Sequence, residues 1–216
     1  MLLLRLRGPD RPERIVVVDG GSRDGTQRVA HEHGAVVIEA PRGRGAQLAA
    51  GARALDTELL LFLHADCVPA PGALGRLRAA FADPRLAACA FEQEIDATGL
   101  FYRMVERCAD LRVRWLGMVY GDSGLCVRRS VYADVGGFRP LPLFEDVDLS
   151  RRLRAVTRPR LLSGARLVVS ARRWKREGAL RATVQNWMLS CAYAAGADPG
   201  RLARLYTGEQ PPRSST

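Results

Sequence analysis

The stretch Ile15-Val16-Val17-Val18-Asp19-Gly20-Gly21-Ser22-Arg23-Asp24-Gly25-Thr26 decides the fold. Ile15 to Val18 are four β-formers in a row, the pattern of a short strand buried on both faces inside a parallel sheet. The run stops at an acid, two glycines and a serine. Gly20 and Gly21 let the backbone turn sharply and approach a ligand closely. Ser22 or Asp24 is placed to cap a helix that begins near Gly25-Thr26. A strand, a small-residue turn and a helix N-terminus in succession make a ligand site at the carboxyl edge of an open sheet. Asp19 stands at the strand tip, where a carboxylate accepts hydrogen bonds from ribose or base. An ordinary polar turn between strand and helix is the plainer reading of the same residues.

On the N-terminal side, Met1 to Gly8 read as the last turns of an amphipathic helix, followed by a Gly8-Pro9-Asp10 turn. On the other side, the helix from Thr26 ends at Gly34, and Ala35 to Glu39 form the next strand. Arg42-Gly43-Arg44-Gly45 opens a helix carrying Gln47, Leu48 and Ala52. Small residues and two guanidinium groups at a helix N-terminus suit a diphosphate, or else form a solvated basic turn. Leu59 to Leu63 are a fully apolar strand that ends in His64-Ala65-Asp66. In an extended segment His64 and Asp66 share a face. An imidazole and a carboxylate there could hold a divalent cation that also touches substrate phosphates. The alternative is a capping Asp66 before the Pro69-Ala70-Pro71-Gly72 turn.

Further along, Gly72 to Ala82 read as a helix and Leu86 to Glu94 as an alternating strand. Phe101, Met104, Val105, Cys108, Leu111 and Trp115 form one helical stripe, the mark of a core-facing or lid helix. Tyr120-Gly121-Asp122-Ser123-Gly124 precedes the strand Leu125 to Arg129, and Ser130 is placed to cap a short helix ending at Gly136-Gly137-Phe138. Glu145, Asp146 and Asp148 put three acids at the start of an apolar-periodic helix, where the dipole favours them. Glu145 and Asp146 are also placed to take a proton from an acceptor hydroxyl, although capping and charge balance account for any one of the three. Leu161 to Ser170 read as a last strand pair. From Ala179 a helix sets Leu180, Val184, Trp187, Met188, Cys191 and Ala195 on one face, which reads as core rather than membrane contact. Residues 207–216 are a polar tail.

The 216 residues suit one α/β domain with a proper core. Hydrophobic residues at 47% and charged residues at 26% exclude a disordered chain. The formal net charge of +10, most of it from Arg spread along the chain, favours an anionic partner. Aromatics at 6% and the lack of any known nucleic-acid motif argue against DNA or RNA. Five scattered cysteines without CxxC spacing read as thiols in a reducing cytoplasm rather than a disulfide frame or zinc site. No apolar run reaches the roughly 20 residues of a membrane span, which leaves room only for peripheral membrane contact.

Taken in order, VVVDGGSRDGT, PRGRGAQLAAGA, LFLHAD, YGDSG, FEDVDLSRRL and SARRW resemble a family 2 glycosyltransferase of GT-A fold. The likeness runs over roughly residues 10–206 and is greatest to a small bacterial subgroup, the arsenosugar-biosynthesis or radical-SAM/selenodomain-associated glycosyltransferases. It implies a mostly parallel Rossmann-like sheet flanked by helices, in one domain over residues 1–206. It also implies inverting transfer from a nucleotide-diphosphate sugar to a hydroxyl acceptor, usually with Mg²⁺ or Mn²⁺. Asp19 would contact the donor nucleoside with Gly20 and Gly21 in the turn and Asp24 supporting it. Arg42, Arg44, His64, Asp66, Asp122, Arg173 and Trp174 join the nucleotide-sugar site. Asp66 ends a DxD-like motif and is the implied metal ligand, with His64 in place of the first acid. Asp146 is the implied general base, with Glu145 beside it. Arg173 and Trp174 resemble the RW of a QxxRW motif whose Gln is absent here, which favours a single transfer over a processive synthase. The family's first strand and its Pro-x-x-Asn-Glu-like segment have no counterpart, so the resemblance implies an N-terminally truncated domain. The rival readings are an impaired nucleotide-sugar-binding remnant, a nucleotidyltransferase and a nucleic-acid-binding protein.

Overall fold

A computed structural model of the chain describes residues 2–8 and 10–207. Helix α1 (Leu2–Arg5) comes first, and the apolar run then forms β1 (Val16–Asp19). After α2 (Thr26–Glu32), β2 (Val36–Glu39) pairs with β1 in parallel, Val16 opposite Val36 and Asp19 opposite Glu39. Next come α3 (Arg44–Arg53), β3 (Leu59–Phe62), β4 (Cys67–Pro69) and α4 (Ala73–Ala80). The central part is β5 (Ala88–Ile95), α5 (Leu100–Leu116), a 3-10 turn (Gly121–Ser123), β6 (Leu125–Arg128) and α6 (Arg129–Asp134). The last elements are α7 (Glu145–Val156), β7 (Arg160–Val169), α8 (Arg172–Glu177), α9 (Ala179–Ala194) and α10 (Pro199–Thr207).

Five strands form one sheet in the order β3-β6-β5-β7-β4, while β1 and β2 form a separate two-stranded sheet. Alternation along the central strands buries both faces. Cys89 and Phe91 of β5 and Cys126 of β6 point to one core, shared with Leu74 and Leu77 of α4. Ala88, Ala90, Leu125 and Val127 point to the other, shared with Ala52 of α3, Val113 of α5, and Leu149 and Leu153 of α7. A third cluster joins α7 to the C-terminal helices through Phe144, Val147, Leu189 and Leu202.

The α/β architecture with a curled sheet between helices is that of the GT-A fold, but the sheet is mixed rather than mostly parallel. β6 runs antiparallel to both β3 and β5, and β4 runs antiparallel to β7; only β1–β2 and β5–β7 are parallel. The expected strand pair after Leu161 is one ten-residue strand with a register shift opposite Phe91/Glu92, where Gly164 takes a positive φ of 77°. Three elements were not anticipated: β4, hidden in what reads as a Pro-rich turn, and helices α8 and α10. Neither Ser22 nor Asp24 is the N-cap of α2; left-handed Gly25 is. Ser130 lies inside α6, which starts one residue earlier, after extended Arg128. Met1, Pro9 and the tail from Gly208 lie outside the described residues.

The two long apolar stripes are not the faces that pack into the core: the core-facing reading fails for both helices, although Phe101 and Val105 of the α5 stripe are half-buried. On α5 the buried residues are Glu106, Ala109 and Val113, while Met104, Leu111 and Trp115 are exposed. On α9 the buried residues are Ala182, Thr183 and Leu189, while Leu180, Val184, Trp187 and Met188 are exposed. Each helix has a second, smaller-residue face, and that face packs more closely against its neighbours.

Candidate active site

Asp19 ends β1 as a buried carboxylate. It accepts hydrogen bonds from the Ser22 amide at 3.0 and 3.1 Å, from the Ser22 hydroxyl, and from Gln27 Nε2 at 2.7 Å. Led by the Gln27 and Ser22 side chains, these bonds hold Asp19 down at about 2, fixed as an anion. Asp24 accepts from the Thr26 hydroxyl at 2.6 Å and amide at 3.2 Å, which hold it below the usual carboxylate range and tie the turn to α2. Gly20 is closely approached: a Cβ there would lie 2.9 Å from Gln47 Nε2 and displace that side chain. Arg42 Nε donates to the Gly20 carbonyl at 3.1 Å and Gln47 Nε2 to the Val18 carbonyl at 3.3 Å, so α3 is laced to the tip of β1.

Arg44, the first residue of α3, reaches across to the first residue of α7. Its Nε lies 3.0 Å from Glu145 Oε1, and the Glu145 side chain is fully buried. The angle is poor for a hydrogen bond, so neither Glu145 oxygen receives one among the described residues. Burial, and then the neighbouring Asp146 charge, push Glu145 up to about 7 against the pull of Arg44. Gly45 makes this approach sterically feasible, since a Cβ there would meet the Arg139 carbonyl at 2.2 Å and Glu145 Cβ at 3.2 Å.

Asp146 is half-buried beside Glu145. Its Oδ2 accepts the Gly121 amide at 2.6 Å and its Oδ1 the Val147 amide at 2.7 Å. His64, from the loop after β3, packs against Gly121 so closely that a Cβ there would sit 2.3 Å from its Nε2. Burial and the Arg44 guanidinium push the His64 imidazole below the ordinary histidine range, while Asp146, Asp66 and Asp122 pull it back. His64 thus sits under the charges of three carboxylates and a guanidinium. The segment to Asp66 turns rather than running extended, because the Cys67 amide bonds back to the His64 carbonyl at 3.0 Å. Asp66 is exposed, its backbone carbonyl accepting the Ser170 amide at 3.1 Å. Asp122 sits in the 3-10 turn, bonded by Gln93 Nε2 at 3.0 Å and 3.6 Å from Arg112.

The chain therefore brings Arg44, His64, Asp66, Asp122, Glu145 and Asp146 into one charged cluster, with Asp19, Gly20 and Arg42 joined to it through α3. Gly21 takes the positive φ of 89° that the turn after Asp19 needs. Arg173 makes its contacts with the C-terminal helices, while Trp174 also packs against the first core cluster and lies edge-on to Tyr102 of α5. Arg173 bonds Glu177 at 2.9 Å and lies 4.3 Å from the Tyr206 ring centroid, and Trp174 Nε1 donates to Thr183 Oγ1 at 3.1 Å. A cleft of about 480 Å³ between β5 and α5, lined by Glu94, Arg103, Asp110 and Arg166, holds none of the cluster's residues and meets the cluster only through Gln93, which bonds Asp122. Among the described residues no three His, Cys, Asp or Glu side chains form a closed metal cage. An exposed Asp66 does suit a cation that draws its remaining ligands from substrate phosphates.

Several supporting residues were not singled out from the sequence. Phe144, just before the acids, holds a positive φ of 65° and stacks on Tyr193 at 4.7 Å. Arg112 lies 3.6 Å over the Tyr120 ring and donates to the Met118 carbonyl at 3.3 Å, which steadies the segment carrying Gly121 and Asp122. Ser150 of α7 bonds both backbone groups of Val119. Only Gly121, a glycine inside YGDSG, left a visible signal.

The chain matches glycosyl transferase family 2 over residues 3–139, more than half its length. It belongs to that family. Glu145 and Asp146 lie beyond the matched segment. No curated protein matches the chain. Among solved structures it is similar to the mannosyltransferase PcManGT from Pyrobaculum calidifontis in complex with GDP-Man and Mn²⁺. That match has 18% identity, covers 91% of this chain and 59% of the other, and has a TM-score of 0.61. It is also similar to S. aureus TarS, at 18% identity over 78% of this chain and 33% of the other, TM-score 0.62. A third is GalNAc-T7 with UDP, GalNAc and Mn²⁺, at 14% identity over 73% and 37%, TM-score 0.54. At these identities the likeness is one of fold, and the chain spans only about a third to three-fifths of these relatives. No helix among the described residues is long and apolar enough to cross a membrane.

Proposed function

We propose that the chain transfers a sugar from a nucleotide-diphosphate donor to a hydroxyl acceptor, with inversion. The observation that carries this is Asp146. It is a half-buried carboxylate oriented by the Gly121 amide at 2.6 Å, beside the one cluster where groups suited to a nucleotide and a diphosphate meet. Asp19, kept anionic, accepts hydrogen bonds from the donor's ribose or base, with Gly20, Gly21 and Asp24 shaping the turn. Arg42 and Arg44 face the diphosphate. The acceptor oxygen attacks the anomeric carbon and gives its proton to Asp146. The bond from that carbon to the diphosphate oxygen breaks on the opposite face, and its electron pair leaves with the diphosphate. One displacement inverts the configuration. Glu145, held near neutrality, keeps a second full negative charge away from Asp146.

Asp66 would hold a divalent cation, Mg²⁺ or Mn²⁺, which when bound neutralises charge on the leaving diphosphate. Known Mn²⁺-bound relatives of the same fold support this assignment. The order of motifs supports the arsenosugar-biosynthesis subgroup, and five thiols without a disulfide support a cytoplasmic setting.

The test follows nucleoside-diphosphate release from UDP-glucose and GDP-mannose in the presence of Mn²⁺. Asp146→Asn is expected to lower turnover by about 10²-fold or more while nucleotide-sugar binding persists; near-normal turnover removes Asp146 from the base role. Asp66→Ala and chelator are expected to weaken donor binding to the same degree. Indifference to both overturns the metal assignment.

A further inference from the structure

We propose that the outer face of α9 is a docking surface for an anionic lipid bilayer. On this helix Leu180, Val184, Trp187 and Met188 are 68, 41, 50 and 67% exposed, and Cys191 continues the same face. Their spacing of three and four residues puts them on one side of the cylinder. The opposite side is already occupied. Thr183 accepts Trp174 Nε1, Leu189 is buried beside Phe144 and Val147, and Tyr193 stacks on Phe144. The exposed apolar residues therefore belong to a face that the fold does not use.

Two observations select a bilayer as the occupant. First, α9 carries a single charged residue, Arg181, and no carboxylate. Second, the surroundings are basic: from Ala171 to Thr207 there are seven Arg and Lys against Glu177 and Asp198. Arg172, Lys175 and Arg176 of α8, immediately before α9, and Arg201 of α10 are all exposed. An apolar strip with Trp and Leu, edged by cations, is the composition of a helix lying in the headgroup region, and each basic residue near an anionic surface adds about 1 kcal/mol. Because α9's inner face holds Phe144 directly before Glu145 and Asp146, docking would bring the acids close to the bilayer surface. This proposal is independent of the donor assignment.

The experiment is co-sedimentation of the full chain with vesicles of phosphatidylcholine alone or mixed with phosphatidylglycerol. Binding to the mixed vesicles, weakened by salt and much weaker on phosphatidylcholine alone, is expected. Trp187→Ser/Met188→Ser is expected to lower partitioning by roughly tenfold or more, since both side chains leave water only on docking. Arg172→Glu/Lys175→Glu is expected to lower binding to the anionic vesicles by a similar factor. As a second readout that keeps Leu180, Val184, Trp187 and Met188, a polarity-sensitive fluorophore on Cys191 in Cys108→Ser should shift to shorter wavelength on mixed vesicles. Absence of vesicle binding, or binding and label emission indifferent to these changes, overturns the proposal. So does a dimer that Trp187→Ser/Met188→Ser converts to monomer, which would make the face an interface between copies.

Discussion

Glu145 shows how one residue couples the site to stability. Its side chain is fully buried, and Arg44 offsets the cost of its charge only in part. Its pKa is raised from the ordinary 4.5 to about 7, so the folded chain holds this proton more tightly than the unfolded chain does. Stability from the protonated form is complete below about pH 4.5 and is lost as pH climbs through 7. Glu145→Gln keeps the shape without the charge. It should unfold at higher denaturant than the parent at pH 8, by about 1–3 kcal/mol, and the difference should shrink toward pH 5. A gain equal at both pH values would mean that Glu145 does not titrate in this window. Asp19 is the converse case, an acid surrounded by donors that fix its charge. Both acids were recognisable as candidates in the sequence; which of them stays charged depends on partners that only the fold supplies.

At the scale of elements, the start of α7 carries a visible strain. Phe144 is the sole non-glycine with positive φ among the described residues, and the turn it makes delivers Glu145 and Asp146 to the site. The ring's stack on Tyr193, which in turn lies under Arg151, offsets the conformational cost. Phe144→Ala loses the stack and keeps the strain, whereas Phe144→Gly loses the stack and relieves it. Both should be destabilised, but Gly less so than Ala by about 1 kcal/mol, the reverse of the usual order. Thermal unfolding of the pair checks this, and Ala equal to or better than Gly would deny the strain. This strain left no trace in the sequence, because phenylalanine gives no warning of a left-handed backbone. The apolar runs of β1, β3 and β6 were legible, since each is a short block of β-formers ended by turn residues. The orientation of α5 and α9 was not legible. Both helices have two apolar faces, and periodicity marks the larger side chains rather than the face that finds a partner. β4 escaped because its pairing with β7 is non-local, and a Pro-flanked triplet has no strand signature of its own.

At the scale of the whole molecule, the proposed site straddles two sheets that share no hydrogen bonds among the described residues. Asp19 belongs to β1–β2, and the acids and His64 belong to the five-stranded sheet and the helices on it. What connects the two is side-chain work from α3 and the loop before it: Leu48 and Ala52 in the core, Gln47 and the loop residue Arg42 on the tip of β1, and Arg44 on Glu145. A two-stranded ribbon is marginal by itself. The strand β2 is paired with β1 alone, whereas Cys89 and Ala90 of β5 lie between β6 and β7 and face two cores. The unit formed by β1, α2 and β2 should therefore open locally at a free energy well below global unfolding. Native-state hydrogen exchange should find Val36 and Ala40, whose amides bond the Ile15 and Asp19 carbonyls, exchanging at least about tenfold faster than Cys89 and Ala90. Adding UDP-glucose or GDP-mannose, whichever the chain binds, should slow the first pair and leave the second unchanged, because a donor held by Asp19 closes the ribbon against the rest of the site. Equal exchange at both places without ligand would show that α3 fastens the ribbon as firmly as a shared strand would. In that case the nucleoside half of the site would be rigid before any donor arrives.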